Sequence, residues 1–314
     1  MKKFTPIFVF FTLAFMPTKA QELMLPSFTQ YLADNPFIIA PTYAGIGDYV
    51  KVRANGFTQW VGIKDAPQNM TLAADMRIHD KSGFGIYLYN DSNGNTRQSG
   101  GKVSFAHHII IDRYAEQFLS FGISYNLNQF RIDIENFNGT DMAVTDDRRL
   151  INHNFDVGIL YRKNGFFMNF TAANLLNKDV DMFTGIEPLA LRNYQVYTGY
   201  TIRNVGNNDI DVEPSGYFQY YESDGRSTTD LNLKVRFNNF EDYYWAGISY
   251  RFLNDQMLEP LNIGPMGGLK MKNFYFAYSY QVTMNELFSY NSGTHMVTIG
   301  LDLFQGISNC PCTY

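Results

Sequence analysis

The chain has 314 residues, 45% hydrophobic, 16% aromatic and only 18% charged, with a formal net charge of −5. An acidic chain lacks the basic footprint that binding to a phosphate backbone needs, which excludes nucleic acid as a partner. Its rings are 27 Phe and 22 Tyr against 2 Trp, more amphipathic rings than a soluble core needs but suited to a membrane barrel, which places them at both lipid interfaces.

The first residues carry Lys2 and Lys3, a largely apolar run from Phe4 to Met16, then Pro17, Thr18, Lys19 and Ala20 ahead of Gln21. That is the layout of a secretory signal peptide, residues 1–20, with cleavage expected after Ala20. The run of roughly 13 residues falls short of the ~20 that a spanning helix needs, which weighs against the rival reading of an uncleaved N-terminal anchor. No lipobox cysteine follows, because the only cysteines are Cys310 and Cys312. Losing Lys2, Lys3 and Lys19 takes the net charge from −5 to −8.

Residues 21–47 precede any strand pattern. Pro26-Ser27 reads as a helix start, followed by Phe28 to Asp34, and Asn35-Pro36 reads as its stop. This segment is expected either to plug a pore or to lie beneath it.

From Tyr49 onward the chain breaks into segments of about ten residues with period-two alternation, separated by turn residues. In Arg192 to Ile202, the set Tyr194, Val196, Thr198, Tyr200 and Ile202 alternates with Asn193, Gln195, Tyr197, Gly199 and Thr201. The same division sets Leu119, Phe121, Ile123, Tyr125 and Leu127 against Ser120, Gly122, Ser124, Asn126 and Asn128. It recurs with Leu231, Leu233, Val235 and Phe237 against Asn232, Lys234, Arg236 and Asn238, and again along Phe274 to Thr283. One face suits lipid and the other water. No stretch of 18 consecutive apolar residues follows the signal, so a closed barrel is the remaining way to cross a bilayer with every backbone group paired.

The segments predict an all-β fold: one transmembrane antiparallel barrel over residues 48–304, with about fourteen strands. They are expected to begin near residues 49, 68, 82, 98, 115, 153, 165, 192, 210, 226, 241, 260, 273 and 293. Connections after even-numbered strands are short, such as His79-Asp80-Lys81-Ser82, whereas the two longest, 131–152 and 176–191, follow odd-numbered strands. That parity fits short periplasmic turns, long extracellular loops and both termini in the periplasm. The last strand carries Val297, Ile299, Leu301 and Leu303 and ends on Phe304, before a tail at 305–314. A large soluble sandwich shares the alternation but not its continuous aromatic faces. A ring of this size is about 28 Å across, too wide for wall side chains to fill. The lumen therefore needs a plug or conducts water.

Motifs for chemistry are sparse. His107 and His108 would point to opposite faces of one strand and cannot share a metal there; His107, among Val103, Phe105 and Ile109, implies either a bulge or a position near an interface. Cys310-Pro311-Cys312 is too tight for a zinc or thioredoxin-type pair. Asp141, Asp146 and Asp147 fit no calcium-loop spacing. No catalytic constellation, metal site or cofactor site is expected, and the chain is not read as an enzyme.

A spaced string of short motifs resembles the PorP/SprF family of type IX secretion membrane proteins of Bacteroidetes. Its opening is Phe28-Thr29-Gln30-Tyr31, Asn35-Pro36 and Ala40-Pro41-Thr42-Tyr43-Ala44-Gly45, where Ala40 and Thr42 depart from the family's usual residues. Gln59-Trp60-Val61-Gly62 with Ala66-Pro67 follows, with Phe57 where an arginine is usual. The string continues through Leu119-Ser120-Phe121-Gly122, Asn174-Leu175-Leu176, Pro214-Ser215, Asp230-Leu231-Asn232, Trp245-Ala246-Gly247 and Tyr278-Ser279-Tyr280. It ends with Ser292-Gly293-Thr294-His295 and Cys310-Pro311. Taken singly these read structurally: Trp60 as an interfacial anchor, Gly45 and Gly62 as turn residues.

The resemblance implies an outer-membrane barrel that supports export and surface anchoring of a secreted, gliding-adhesin-like protein by binding its C-terminal domain. It also implies contact with components of the secretion and gliding machinery. The competing class is a passive porin or solute channel, for which the inward-facing Asp75, Arg77, Asp156, Arg162, Lys234, Arg236, Arg251 and Asp302 suit an aqueous pore equally well.

Overall fold

The computed structural model describes residues 35–132, 148–176, 192–207, 209–222, 225–256, 260–284 and 289–304. The expected signal peptide, the expected helix with Phe28, Gln30 and Tyr31, Asp141, Asp146 and Asp147, the greater parts of both long loops, and the tail with Cys310, Pro311 and Cys312 lie outside the described residues.

Fourteen strands make up the wall: β1 Tyr49–Thr58, β2 Gln68–His79, β3 Ser82–Asn93, β4 Thr96–Asp112, β5 Gln117–Ile132, β6 Arg148–Lys163 and β7 Phe166–Ala173, then β8 Asn193–Tyr200, β9 Ile210–Tyr221, β10 Ser227–Asn239, β11 Asp242–Leu253, β12 Pro260–Met271, β13 Phe274–Thr283 and β14 Thr294–Phe304. Each pairs antiparallel with its neighbours in sequence, and β1 closes on β14 from Tyr49 opposite Phe304 to Thr58 opposite His295. Closure leaves no open sheet edge.

The alternation sorts as the sequence predicts. Leu231 and Leu233 face outward and exposed, while Asp230, Asn232 and Lys234 between and beside them are buried inward. The same holds for Phe274, Phe276 and Tyr278 against Tyr275, Ala277 and Ser279. Ile299 is 59% exposed, yet its neighbour Thr298 is 9% exposed and donates to Asn55 Oδ1 at 2.7 Å. An apolar outer face around a polar inner one is the layout of a membrane barrel. Among the described residues no helix is long and apolar enough to cross a membrane.

The main departure from the expected boundaries is β6, which opens at Arg148 rather than near 153. Arg148 and Arg149 looked like loop, but they pair with Ile132 and Arg131 and extend the β5–β6 hairpin. The wall is accordingly uneven. β4, β5 and β6 have 17, 16 and 16 residues, β7 and β8 only 8 each; at about 3.4 Å per residue the tall strands are some 27 Å longer.

Residues 35–47 lie against the inner wall. The helix that Asn35-Pro36 is expected to stop lies outside the described residues; within them Asn35 takes the N-cap position and Pro36 the first position of a 3-10 turn, Pro36–Ile38. Proline fits that position, because its fixed φ is already helical and its missing N–H would have no partner. Ala40 returns to extended backbone and Pro41 opens a second turn, Pro41–Tyr43. Phe37, Ile39, Ala40, Tyr43 and Ala44 are buried against Ala73, Tyr87, Tyr89, Ala106, Leu160, Tyr197 and Tyr217. The wall is apolar on its inside where this segment touches it.

Candidate functional site: the occupied lumen

Glycines on the wall form the seat for the N-terminal segment. A Cβ on Gly83 would collide with the Ala44 carbonyl and one on Gly85 with the Phe37 ring, while one on Gly122 would stand 2.5 Å from Thr42 N. The backbone of the segment thus lies where side chains would otherwise be. Gly45 itself needs φ +72° and has Met76 and Gly83 backbone against it, a conformation and a space that only glycine meets without strain.

Polar wall residues complete the seat. Gly45 N donates to Asp75 Oδ2 at 3.0 Å, and Asn169 Nδ2 donates to Thr42 Oγ1 at 2.7 Å. His108 lies 3.0 Å by Nε2 from Ala44 O and 2.8 Å by Nδ1 from Ser120 Oγ. A neutral ring protonated on Nε2 satisfies both, donating to the carbonyl and accepting from the hydroxyl. Arg77 pairs with Asp48 just beyond the segment. His107 points outward beside Ser82 Oγ at 3.0 Å, near the short β2–β3 turn; β4 stays in register with β3 there and its irregularity against β5 comes just beyond, between Ile110 and Asp112.

Between the segment and the wall, at the short-turn end, a cavity of about 420 Å³ remains. Its lining includes Lys51, Arg53, Arg162, Lys234, Arg236 and Lys270, against Asp48, Glu213 and Asp302. Asp302 bridges Arg53 at 2.7 Å and Lys270 at 2.9 Å, and Glu213 lies 3.4 Å from Lys234. Ring faces brace several cations: Arg53 stands 4.4 Å from the Tyr275 centroid, Arg236 4.5 Å from Tyr243 and Lys270 4.3 Å from Tyr49.

Toward the long-loop end the lumen carries further pairs. Arg251 grips Asp230 through two bonds of 2.6 and 2.5 Å. Asp156 receives Lys102 at 2.9 Å, Asn126 at 2.5 Å and the Asn174 N–H at 2.9 Å, and Asn154 exchanges bonds with the backbone of Leu176. The Asn174-Leu175-Leu176 motif is therefore held by β6, and β7 ends at Ala173 because the chain leaves the wall there.

The described motif residues gather in two places. Asn35, Pro36, Tyr43, Ala44 and Gly45 belong to the seated segment. Gln59, Trp60, Pro67, Gly293 and His295 cluster at the other end, over the β1–β14 seam. There Gln59 N donates to Pro67 O at 2.9 Å, Val61 N to Gly293 O at 3.0 Å and Ser292 N to Val61 O at 2.8 Å. Gly293 makes that crossing at φ +84°. His295 faces outward, 2.7 Å by Nδ1 from the Tyr278 hydroxyl. Trp60 is part of this stitching, half-buried at φ +52°, with its indole N–H buried and lacking a hydrogen-bond partner among the described residues.

Sequence reading singled out neither Lys51, Arg53, Glu213 and Lys270 nor the glycine seat. A signal for the first was present: inward-facing charges concentrate within a few residues of the short turns on β1, β6, β9, β10, β12 and β14. Among the described residues no group of three or more His, Cys, Asp or Glu is placed to hold a metal ion.

A comparison with curated proteins returns no match. Similar solved structures include the CymD monoaromatic hydrocarbon channel, 9% identical over 88% of this chain and 91% of that one at a TM-score of 0.49. The deltaS2 mutant of the TodX monoaromatic hydrocarbon channel is 8% identical over 85% and 91%, TM-score 0.45. Outer membrane phospholipase A from Escherichia coli is 11% identical over 80% and 92%, TM-score 0.36. The model of the type IX secretion system membrane protein PorP/SprF matches residues 20–301. A closed fourteen-strand barrel with a lipid-suited outer face is the outer-membrane form of such a protein, and the chain belongs to the PorP/SprF family of type IX secretion system membrane proteins.

Proposed function

We propose that this barrel supports export and surface anchoring of a particular secreted cell-surface protein, a gliding-adhesin-like client, by binding its C-terminal domain. The observation that carries the reading is the seated segment. Residues 35–47 are buried against the inner wall, with wall glycines shaped to them and Asp75, His108 and Asn169 bonded to them. A lumen built around its own chain suits a holding function better than free diffusion of solutes. The uneven rim adds to this, because the tall β4–β6 wall offers one side against which a folded domain can lean.

In this reading residues 1–20 are the export signal, 21–47 the N-terminal lumenal segment, 48–304 the barrel and 305–314 a tail. Both termini and the short turns face the periplasm and its secretion and gliding components, while the connections between β5 and β6 and between β7 and β8 face outward toward the client. The motif residues act as scaffold, Asn35 to Gly45 shaping the lumen and Gln59 to His295 stitching the seam, and the barrel performs no catalysis. Deletion of the gene tests the assignment: one or a few proteins should vanish from the cell surface while general type IX export continues.

The second reading is a passive porin or solute channel. The cavity at the short-turn end and its charged lining favour it. Planar-bilayer recordings separate the two, since large steady currents belong to the channel.

A further inference from the structure

The short-turn cavity differs in charge from the rest of the molecule. The chain is net acidic, yet six cations and three carboxylates are among the cavity's lining residues. We propose that this cavity is a binding site for a small polyvalent oxyanion, a phosphate or di- or tricarboxylate, held between the β1/β12/β14 wall and the β6/β9/β10 wall.

Three features carry the assignment beyond the count. Lys51, Arg53 and Lys270 face two carboxylates, Asp302 and Asp75, so that one side of the cavity keeps positive charge after pairing. The Arg53 and Arg236 guanidinium groups lie over tyrosine rings, an arrangement that holds the cations in place at aromatic faces. Tyr43, Tyr49, Phe167, Tyr197 and Tyr243 add ring surface to the lining, and charge-assisted hydrogen bonds gain strength beside such low-dielectric walls. Arg162, Lys234 and Arg236 keep whatever other contacts they make; the site needs only their charge at its wall. A cavity of about 420 Å³ holds a phosphate or citrate with its residual water.

The site is independent of whether the barrel holds a client or conducts. Its test is thermal unfolding of the purified barrel in detergent, followed by loss of heat-modifiable gel migration, in sodium phosphate, in sodium citrate, and in sodium chloride of matched ionic strength. Saturable stabilisation by phosphate or citrate beyond chloride is expected, and which of the two acts at lower concentration separates the phosphate from the carboxylate ligand. Arg162→Gln with Arg236→Gln should weaken the apparent affinity by at least about tenfold. Glu213→Gln removes a competing carboxylate and should strengthen it several-fold, so a double variant that fails to fold leaves this second arm to decide. Identical responses to all three salts, an unchanged affinity in a folded double variant or, where that variant fails to fold, an unchanged affinity in Glu213→Gln would overturn the site.

Discussion

Gly83 on β3 and Ala44 of the N-terminal segment are so close that any side chain at position 83 would occupy the Ala44 carbonyl. The relationship ties the inner wall to residues that precede the first strand by only a few positions. It also gives a clean perturbation. Gly83→Ala should lift the segment from its seat at a cost of about 1 to 3 kcal/mol, whereas Gly56→Ala, with nothing within 4 Å of the added carbon, should be neutral. Limited proteolysis of residues 35–47 reads the first change, and bilayer conductance should rise in Gly83→Ala alone.

The barrel seam depends on Arg53. Its side chain is buried in the space above Gly300, pairs with Asp302 and donates to Leu301 O at 3.3 Å across the β1–β14 junction. Arg53→Ala should cost about 3 kcal/mol, the low end for breaking a buried pair, because Lys270 remains beside Asp302. The temperature at which the compact gel band converts to the unfolded one is expected to fall. No change would show that the seam is held by backbone pairing alone.

Register on the last strand can be tested from its two faces. Ile299→Asp puts a carboxylate toward lipid, a change costing up to about 2 to 4 kcal/mol for the worst residues and less for acidic ones. Thr298→Asp faces the lumen beside Asn55 and keeps access to polar partners. Membrane assembly should fail or slow for the first and proceed for the second.

Client holding places its demands on the rim. Trimming the connection after β5 or the one after β7, within 133–147 or 177–191, should weaken surface display of the client while the barrel still shows heat-modifiable migration. Loops carry recognition on a rigid scaffold, so their loss should separate function from folding. Loss of folding in both trimmed forms would make the loops structural instead.

Much of this architecture was legible because membrane strands leave a two-residue period with one face greasy and one polar, and because turn residues punctuate it. Tyr194 to Ile202 and Leu231 to Phe237 could be read residue by residue. β6 was harder: Arg148 and Arg149 extend a hairpin that rises above its neighbours, and charge there resembles loop composition. The glycine seat could not be read at all. Gly83, Gly85 and Gly122 look like ordinary small residues on a polar face, and only the fold shows that Ala44, Phe37 and Thr42 fill the missing side-chain volumes. Arg53 and Asp302 likewise lie at opposite ends of the barrel sequence, on the first and last strands, and barrel closure alone brings them together.

The most direct test of the central claim is to purify the tagged barrel from its native membrane in mild detergent and identify its companions by mass spectrometry. The account predicts an exported surface protein, retained through its C-terminal domain, together with components of the secretion machinery. Recovery of the barrel alone, combined with large steady conductance and a deletion strain that keeps its surface proteins but loses uptake of a small solute, would contradict it.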